Sequence, residues 1–456
     1  MTQSSEARAE MMLNAPIRRV IPKLAVPTII SMLISSIYNM ADTFFVSQLG
    51  TSASGAVGVI FSAMAIIQAI AFTIGMGSGT NLSQALGAGD EDRAERFAAT
   101  GFFTAFALGI VIAALGLTHI DDLVRFLGAT ETIAPYARDY ATYIFYAAPF
   151  MMCSFVMNNL LRFEGLALYG MVGIASGGLL NMALDPVFIF VLGFGTAGAA
   201  IATAISQIVS FTILLIMTNT RSSAISIRPA RFTPSPQMYG RIFYNGMPSL
   251  GRQGIASVST ILLNQTAGAY GDAAIAAMSI VSRFIMFINS SVIGFGQGFQ
   301  PVCGFCFGAK RYDRVREAFW FCVKVTTVVL IVLGGISFVL SRPIITRFRP
   351  DDAEVIAIGT LALRLQLATI PFWGLITMGN MFAQSIGYGV RATIISVSRQ
   401  GLFLIPALLV LPRLYGLFGI QLAQPVSDVF SFVLTLVLAR GILNEFGKLE
   451  KEASAV

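Results

Sequence analysis

The chain has 456 residues, of which 55% are hydrophobic and 12% charged, and its formal net charge is +7. With a mean hydropathy of +0.76 it is too apolar for any soluble globular class, and average chains carry roughly twice the charge. The basic balance does not point to nucleic acid, because the lysines and arginines sit in loops between apolar runs, as the positive-inside rule expects.

From the N-terminus, Met1 to Asn14 is polar and mixed in charge and lacks the short apolar core of a cleavable signal, so the first span is expected to be its own insertion signal. Apolar runs of membrane length then recur to the end of the chain. They predict an all-α polytopic membrane protein, since helices satisfy every backbone polar group internally. The alternating segments of a β-barrel are missing. Twelve spans are predicted, near 20–46, 55–82, 98–117, 136–159, 166–192, 196–218, 242–267, 274–300, 318–340, 356–384, 391–411 and 416–440. The stretch from Asn219 to Tyr239 holds Arg221, Arg228, Pro229, Arg231, Pro234 and Pro236, and reads as a polar linker. The expected domains are therefore 1–218 and 240–456, each a six-helix bundle, joined by a linker at 219–239.

The two halves repeat at one offset. Pro27 returns as Pro248, Gly50 as Gly271, Gly75 as Gly296, Arg93 as Arg314, Asn159 as Asn380, Gly195 as Gly416 and Ser206 as Ser427. A single offset held across the chain argues for duplication. Six spans per half gives both halves the same topology, with a pseudo-symmetry axis along the membrane normal and a substrate path between them. Arg18, Arg19, Lys23, Arg93, Arg96, Arg162, the linker, Lys310, Arg311, Arg314, Arg316, Arg391, Lys448 and Lys451 gather on one side. That side is expected to be cytoplasmic, with both termini inside.

One carboxylate stands inside the first span. Asp42 is about 18 residues, ~27 Å, from the inner helix end. An ionisable residue at such depth is a functional-site hypothesis by default. Tyr38 and Asn39 lie one turn back on the same face. The fifth span carries Asn181 and Asp185 at i, i+4, followed by Pro186, which frees a backbone carbonyl. Thr203 stands in the sixth span, ~10 Å below the outer surface. Two carboxylates, an amide and a hydroxyl at converging depths form a hard-oxygen set suited to Na+ or to a shared proton. At the repeat offset these four become Leu263, Leu402, Pro406 and Gln424, so the scaffold is duplicated and the acidic cluster is not.

The second half carries buried positive residues instead: Arg252 beside Gln253, Arg283, Lys324 and Arg399. Arg252 and Arg399 either brace helices through carbonyls or meet an anionic substrate, and Lys324 snorkels. Tyr38, Asn39 and Gln207 are further candidates for a substrate cleft or for bracing. Glu164 is expected to pair with Arg162 or cap its helix. The four cysteines read as buried thiols, His119 as a helix-end residue, and the G-x-G-x-x-G of Gly193 to Gly198 as a tight turn before a span and not a dinucleotide loop. No P-loop lysine motif occurs, so primary ATP-driven transport is not expected.

Four runs resemble a known family: Pro27 with Asn39-Met-Ala-Asp42-Thr-Phe-Phe-Val46, Asn158-Asn-Leu-Leu-Arg-Phe-Glu-Gly165, Asn181-Met-Ala-Leu-Asp185-Pro186, and Gly195-Thr-Ala-Gly198-Ala-Ala-Ile-Ala-Thr203. Together and in order they are similar to multidrug and toxic compound extrusion (MATE) transporters, in the DinF-like and MepA-like bacterial branch. The resemblance covers essentially the whole chain. It implies an inner-membrane, non-enzymatic antiporter of two six-helix bundles in a V. Such a protein exports bulky, often cationic and aromatic compounds in exchange for H+ or Na+, with no other cofactor and no need of more than a monomer among its lipids. It also implies a cation site at Asp42, Asn181, Asp185 and Thr203; ion binding at Asp42 and Asp185 is expected to bend the first span near Pro27. A second site type in the family uses second-half acids; the seventh and tenth spans here hold none. A lipid or lipid-linked oligosaccharide flippase of the same superfamily is the alternative.

Overall fold

The computed structural model describes residues 3–219 and 223–454. Arg221 and the side chain of Lys451, both assigned above to the inner side, lie outside the described set. The described residues form helices and no strands, and the chain divides into two compact units, Met1–Ala15 with Lys23–Gly246, and Pro16–Pro22 with Met247–Val456.

Unit 1 holds α1 (Gln3–Asn14), most of α2 (Ile17–Ser47), α3 (Thr51–Gly87), α4 (Glu91–Thr118), α5 (Ile120–Phe126), α6 (Ala134–Phe163), α7 (Ala167–Pro186) and α8 (Gly195–Thr218). α2 is helical without interruption through Pro27. α7 passes at Pro186 into a π turn, Val187–Val191, the local widening expected where a proline withholds its N–H. Gly193 and Gly195 then reverse the chain with φ of 69° and 56°, a region open to glycine at no steric cost. The linker packs on unit 1: Ser226 donates to Glu95, Thr233 N donates to Thr100 Oγ1, and Arg231 pairs with Asp92 and Glu95. The compact division accordingly falls after Gly246, inside the seventh span, and not at the linker.

Unit 2 holds the rest of α9 (Pro236–Gly268), then α10 (Asp272–Gly308), α11 (Tyr312–Val339), α12 (Ser341–Phe348), α13 (Ala353–Thr369), α14 (Phe372–Ser385), α15 (Gly389–Val397), a π turn (Ser398–Leu402), α16 (Leu404–Tyr415) and α17 (Leu417–Ser454). The duplication is visible in the element ends. Thr51–Gly87 returns as Asp272–Gly308 and Glu91–Thr118 as Tyr312–Val339, each at the sequence offset, and Gly50 and Gly271 precede their helices with φ of 114° and 98°.

Among the described residues, ten helices are long and apolar enough to cross a membrane. α13 and α14, bent by 57° at Ile370–Pro371, make an eleventh span. α9 is the twelfth by length and place in the repeat; Arg241, Arg252, Asn264 and Gln265 lower its apolarity. Each predicted span is present, all but the fifth lengthened at one or both ends; the fifth, Ala167–Val191, is shorter than predicted by one residue at each end. Small residues set the packing within unit 1: a β-carbon on Gly79 would lie 2.2 Å from a ring atom of Phe163. Without a hydrophobic drive between helices in lipid, such close approach supplies the contact energy. All four cysteines are buried and unbridged, and His119 caps the junction of α4 and α5.

Candidate functional site

α7 is the element that assembles the polar cluster of unit 1. A β-carbon on Gly177 would lie 3.0 Å from Ser206 O on α8, and one on Gly178 would lie 3.1 Å from Tyr38 Cδ1 on α2. Glycine at these two positions lets α7 lie close to both neighbours. One turn on, Asn181 Nδ2 donates to Thr203 Oγ1 and to Asp185 Oδ1, both at 3.2 Å. Asn181, Asp185 and Thr203 are buried. On α2, Asp42 is half-buried, and its Oδ2 accepts a hydrogen bond of 3.3 Å from the hydroxyl of Tyr140 on α6. Asp42 and Asp185 lie within electrostatic range of each other, and Tyr140 within range of both. Four helices therefore contribute Asp42, Tyr140, Asn181, Asp185 and Thr203 to one place.

The oxygens of this cluster are short of donors. Asp42 Oδ1, Asn181 Oδ1 and Asp185 Oδ2 are buried with no hydrogen-bond partner among the described residues, as is Ser206 Oγ one turn beyond Thr203. An orphaned buried acceptor costs roughly 1–3 kcal/mol. Two carboxylates sharing one site also repel. A monovalent cation or a proton relieves both costs, and hard oxygen donors suit Na+.

The other predicted residues divide. Tyr38 packs on Gly178 beside the cluster. Asn39 turns back to its own helix, donating to Ser35 O at 2.8 Å. Gln207 is half-buried and makes no hydrogen bond among the described residues. Arg252 is half-buried, and likewise makes no hydrogen bond or ion pair among the described residues. Arg283 and Lys324, expected to be buried, have exposed side chains.

Arg399 is neither carbonyl-paired nor without a counter-charge. Its Nε donates to Asp428 Oδ1 at 2.7 Å, and its guanidinium lies 3.7 Å from the centroid of the Trp373 ring. Gln424 Nε2 donates to the same Oδ1 at 2.9 Å. Thr369 Oγ1 and Trp373 Nε1 donate to Asp428 Oδ2 at 3.0 and 2.8 Å. Asp428 and Tyr140 are the two residues that sequence reasoning missed. The rule that selects Asp42, a carboxylate in an apolar span, selects Asp428 in the twelfth span as well. The repeat does not mark Tyr140, because Tyr136, Tyr140, Tyr143 and Tyr146 all lack a tyrosine counterpart, having Ala357, Leu361, Arg364 and Leu367 instead.

A third buried carboxylate lies at the C-terminal end of α6. Glu164 accepts from Arg8 of α1 at 2.9 Å, from Ser223 at 2.8 Å and from the Ala224 N–H, while Arg162 turns to Asn159 and Met76. Glu164 thus meets Arg8 and not its sequence neighbour. Burial pushes its carboxyl up from 4.5 to about 7, against the opposing pull of the Ala224 N–H, Arg8 and Ser223.

Comparison with known proteins adds a family. The MatE family model matches residues 27–187 and 248–409, two stretches that begin at the repeat pair Pro27 and Pro248. The multidrug export protein MepA of Staphylococcus haemolyticus (strain JCSC1435) is 25% identical over 421 residues, covering 92% of each chain. MepA of Staphylococcus aureus (strain NCTC 8325 / PS 47) is 26% identical over 410 residues, covering 89% of this chain and 90% of its own. A solved structure described as the outward-facing conformation of a multidrug resistance MATE family transporter of the MOP superfamily has a TM-score of 0.91 at 24% identity, with 97% of this chain and 99% of that one covered.

Proposed function

The chain belongs to the MatE family, whose members are membrane transporters and not enzymes, and from that premise we propose that it is a secondary active multidrug efflux antiporter. It exports bulky organic compounds, often cationic and aromatic, from a bacterial cell across the inner membrane in exchange for H+ or Na+. It works as a monomer among lipids, with both termini cytoplasmic. The names of the MepA relatives support the efflux reading. One observation carries the coupling: three buried oxygens, from Asp42, Asn181 and Asp185, without donors in one cluster.

The cycle follows from differential affinity. The coupling ion binds Asp42 and Asp185 together with Asn181 and Thr203 in one conformation and leaves in the other, and only a difference in affinity between the two can shift the equilibrium. Binding draws α2 toward α7, and Pro27, where the helix lacks a backbone donor, is where α2 bends. Drug and ion then compete for the conformations of unit 1.

The test is dye uptake into everted vesicles under separately imposed Na+ and pH gradients. Asp42→Asn is expected to abolish gradient-driven uptake while leaving the protein folded. Full coupled uptake by that variant removes the mechanism.

A further inference from the structure

The repeat pairs Ser206 on α8 with Ser427 on α17, and the two serines meet different surroundings. In unit 2 the helix that corresponds to α7 opens into the π turn Ser398–Leu402. Such a turn interrupts the i, i+4 ladder and leaves main-chain carbonyls to outside donors. Ser427 Oγ takes one, donating to Arg399 O at 2.5 Å, and Ser259 Oγ takes the next, Gln400 O. In unit 1 the matching residues of α7, 177–181, are ordinary α-helix, and their carbonyls are used within it. Ser206 therefore has the place of Ser427 without its acceptor. It is 1% exposed, and its Oγ has no hydrogen-bond partner among the described residues. Nor does it turn back to its own helix, as Thr212 and Thr218 do at 2.8 and 2.7 Å.

The surroundings place this serine beside the acidic cluster. Thr203, which accepts from Asn181, is three residues away and so its neighbour on the α8 surface. A β-carbon on Gly177 would lie 3.0 Å from Ser206 O, and Gly177 is one turn from Asn181 on the same face of α7. Farther along, the seam closes, with Ser210 Oγ donating to Gly173 O at 3.0 Å. Ser206 thus lies one turn from Asn181, whose Oδ1 is open too. In the topology proposed above α8 runs inward, which puts Ser206 about 4.5 Å deeper than Thr203. It is the open oxygen on the cytoplasmic side of the cluster. An unsatisfied hydroxyl in a buried seam is a standing cost to the fold, and a bound cation removes that cost.

We propose that Ser206 is a further ligand of the coupling-ion site, the one through which the ion passes from Asn181 and Asp185 toward release into the cell. The ion is a small monovalent cation, Na+ or hydronium, and the lone pairs of a hydroxyl serve either. The proposal rests on the antiport reading and adds a residue to its site.

The experiment follows thermal unfolding of the purified full chain in detergent. Na+ is added at pH 8 in one arm, and pH is lowered without Na+ in the other. An ion held only by the folded state raises Tm, and the part of the rise that Asp42→Asn abolishes reports this site. Ser206→Ala is expected to move the midpoint of that rise about fivefold, to higher Na+ or to a pH about 0.7 lower, the worth of one hydrogen bond. Ser206→Cys keeps the shape but offers a soft, weakly accepting sulfur, so it moves the midpoint the same way and decides alone if the alanine variant does not fold. Ser427→Ala, which removes a bracing bond, lowers Tm without the ion and leaves the midpoint in place. A midpoint that both Ser206 variants leave unmoved overturns the proposal. A shift that Ser427→Ala matches overturns it as a packing effect, and so does a wild type whose Tm rises in neither arm. Failure of the antiport reading is a separate result: vesicles then take up no dye under either gradient, whether or not Ser206→Ala moves the midpoint.

Discussion

Each unit buries a carboxylate at membrane depth, and the two differ in what surrounds it. Asp428 in unit 2 has two donors on each oxygen, from Arg399, Gln424, Thr369 and Trp373. Asp42 and Asp185 in unit 1 have one donor each, Tyr140 and Asn181, and each leaves an oxygen orphaned. An ionised carboxylate has about four lone-pair sites. Asp428 has filled them and has its counter-charge in contact, so it gains nothing from a further cation. The unit 1 pair has unpaired acceptor oxygens and no counter-charge among the described residues, which makes it responsive to a cation or a proton. The repeat sharpens the contrast. Gln424 and Asp428 stand where unit 1 has Thr203 and Gln207, and Arg399 stands where unit 1 has Gly178. The duplicated scaffold has kept polar residues at related positions and filled them in one copy with a closed ion pair and in the other with an open oxygen set.

The largest effect expected from this contrast is on stability. Asp428→Ala leaves the Arg399 charge and the Trp373 and Thr369 donors buried without a partner, and breaking a buried pair in this way costs about 3–5 kcal/mol. Asp42→Asn removes one of two repelling charges and is expected to leave Tm unchanged or raised while coupling is lost. Thermal unfolding of both variants in detergent makes the comparison. If Asp42→Asn lowers Tm as far as Asp428→Ala does, the distinction between a closed and an open site is wrong.

Much of this was legible in the sequence, for identifiable reasons. Span positions follow from apolar length, and the duplication follows from prolines and glycines held at one offset, because those residues mark backbone features that side chains do not. Asp42, Asn181 and Asp185 stand out as rare polar groups in apolar helices. Tyr140 does not, because α6 also carries Tyr136, Tyr143 and Tyr146, and a tyrosine is ordinary near a membrane surface. Its partner lies 98 residues away. Arg399 shows the same limit: a positive charge is visible in sequence, but the carboxylate that closes it comes from another helix. Adjacency points Glu164 to Arg162 or to a capping role, and it is indeed the C-cap residue of α6. At the helix end the chain turns, and Arg8, 156 residues distant, reaches it instead. Which oxygens remain orphaned is a property of all the neighbours at once, and no local pattern encodes it.

Glu164 is the intermediate case, a buried carboxylate with donors on both oxygens yet a carboxyl raised to about 7. The unfolded chain loses this proton near 4.5 and the folded one near 7, so between those values the native state binds more protons. Stability from this group is full below 4.5 and is lost as pH rises to about 7, by an amount on the order of 1–3 kcal/mol. Arg8 is the charged group in contact with it, and Glu95 and Arg231 pair nearby with the same linker. Unfolding measured from pH 4.5 to 8 is expected to fall in the wild type and to lose this component in Glu164→Gln. Identical slopes would mean that the three donors have closed this site as fully as Asp428 is closed.

The smallest change probes the single donor on Asp42. Tyr140→Phe keeps the ring in place and removes only the hydroxyl that donates to Oδ2. Such a bond is worth about 1 kcal/mol net, or roughly fivefold in an equilibrium constant. The sign of the effect separates the coupling ions. The hydroxyl steadies the negative carboxylate that a sodium ion needs, so with Na+ the concentration for half-maximal coupled transport rises roughly fivefold. A proton competes with that same steadying, so with H+ the requirement falls instead. Maximal rate changes little in either case, because Asp42, Asn181, Asp185 and Thr203 all remain. An unchanged ion requirement would mean that Asp42 does not take the coupling ion, and the openness of the unit 1 cluster would then need another use.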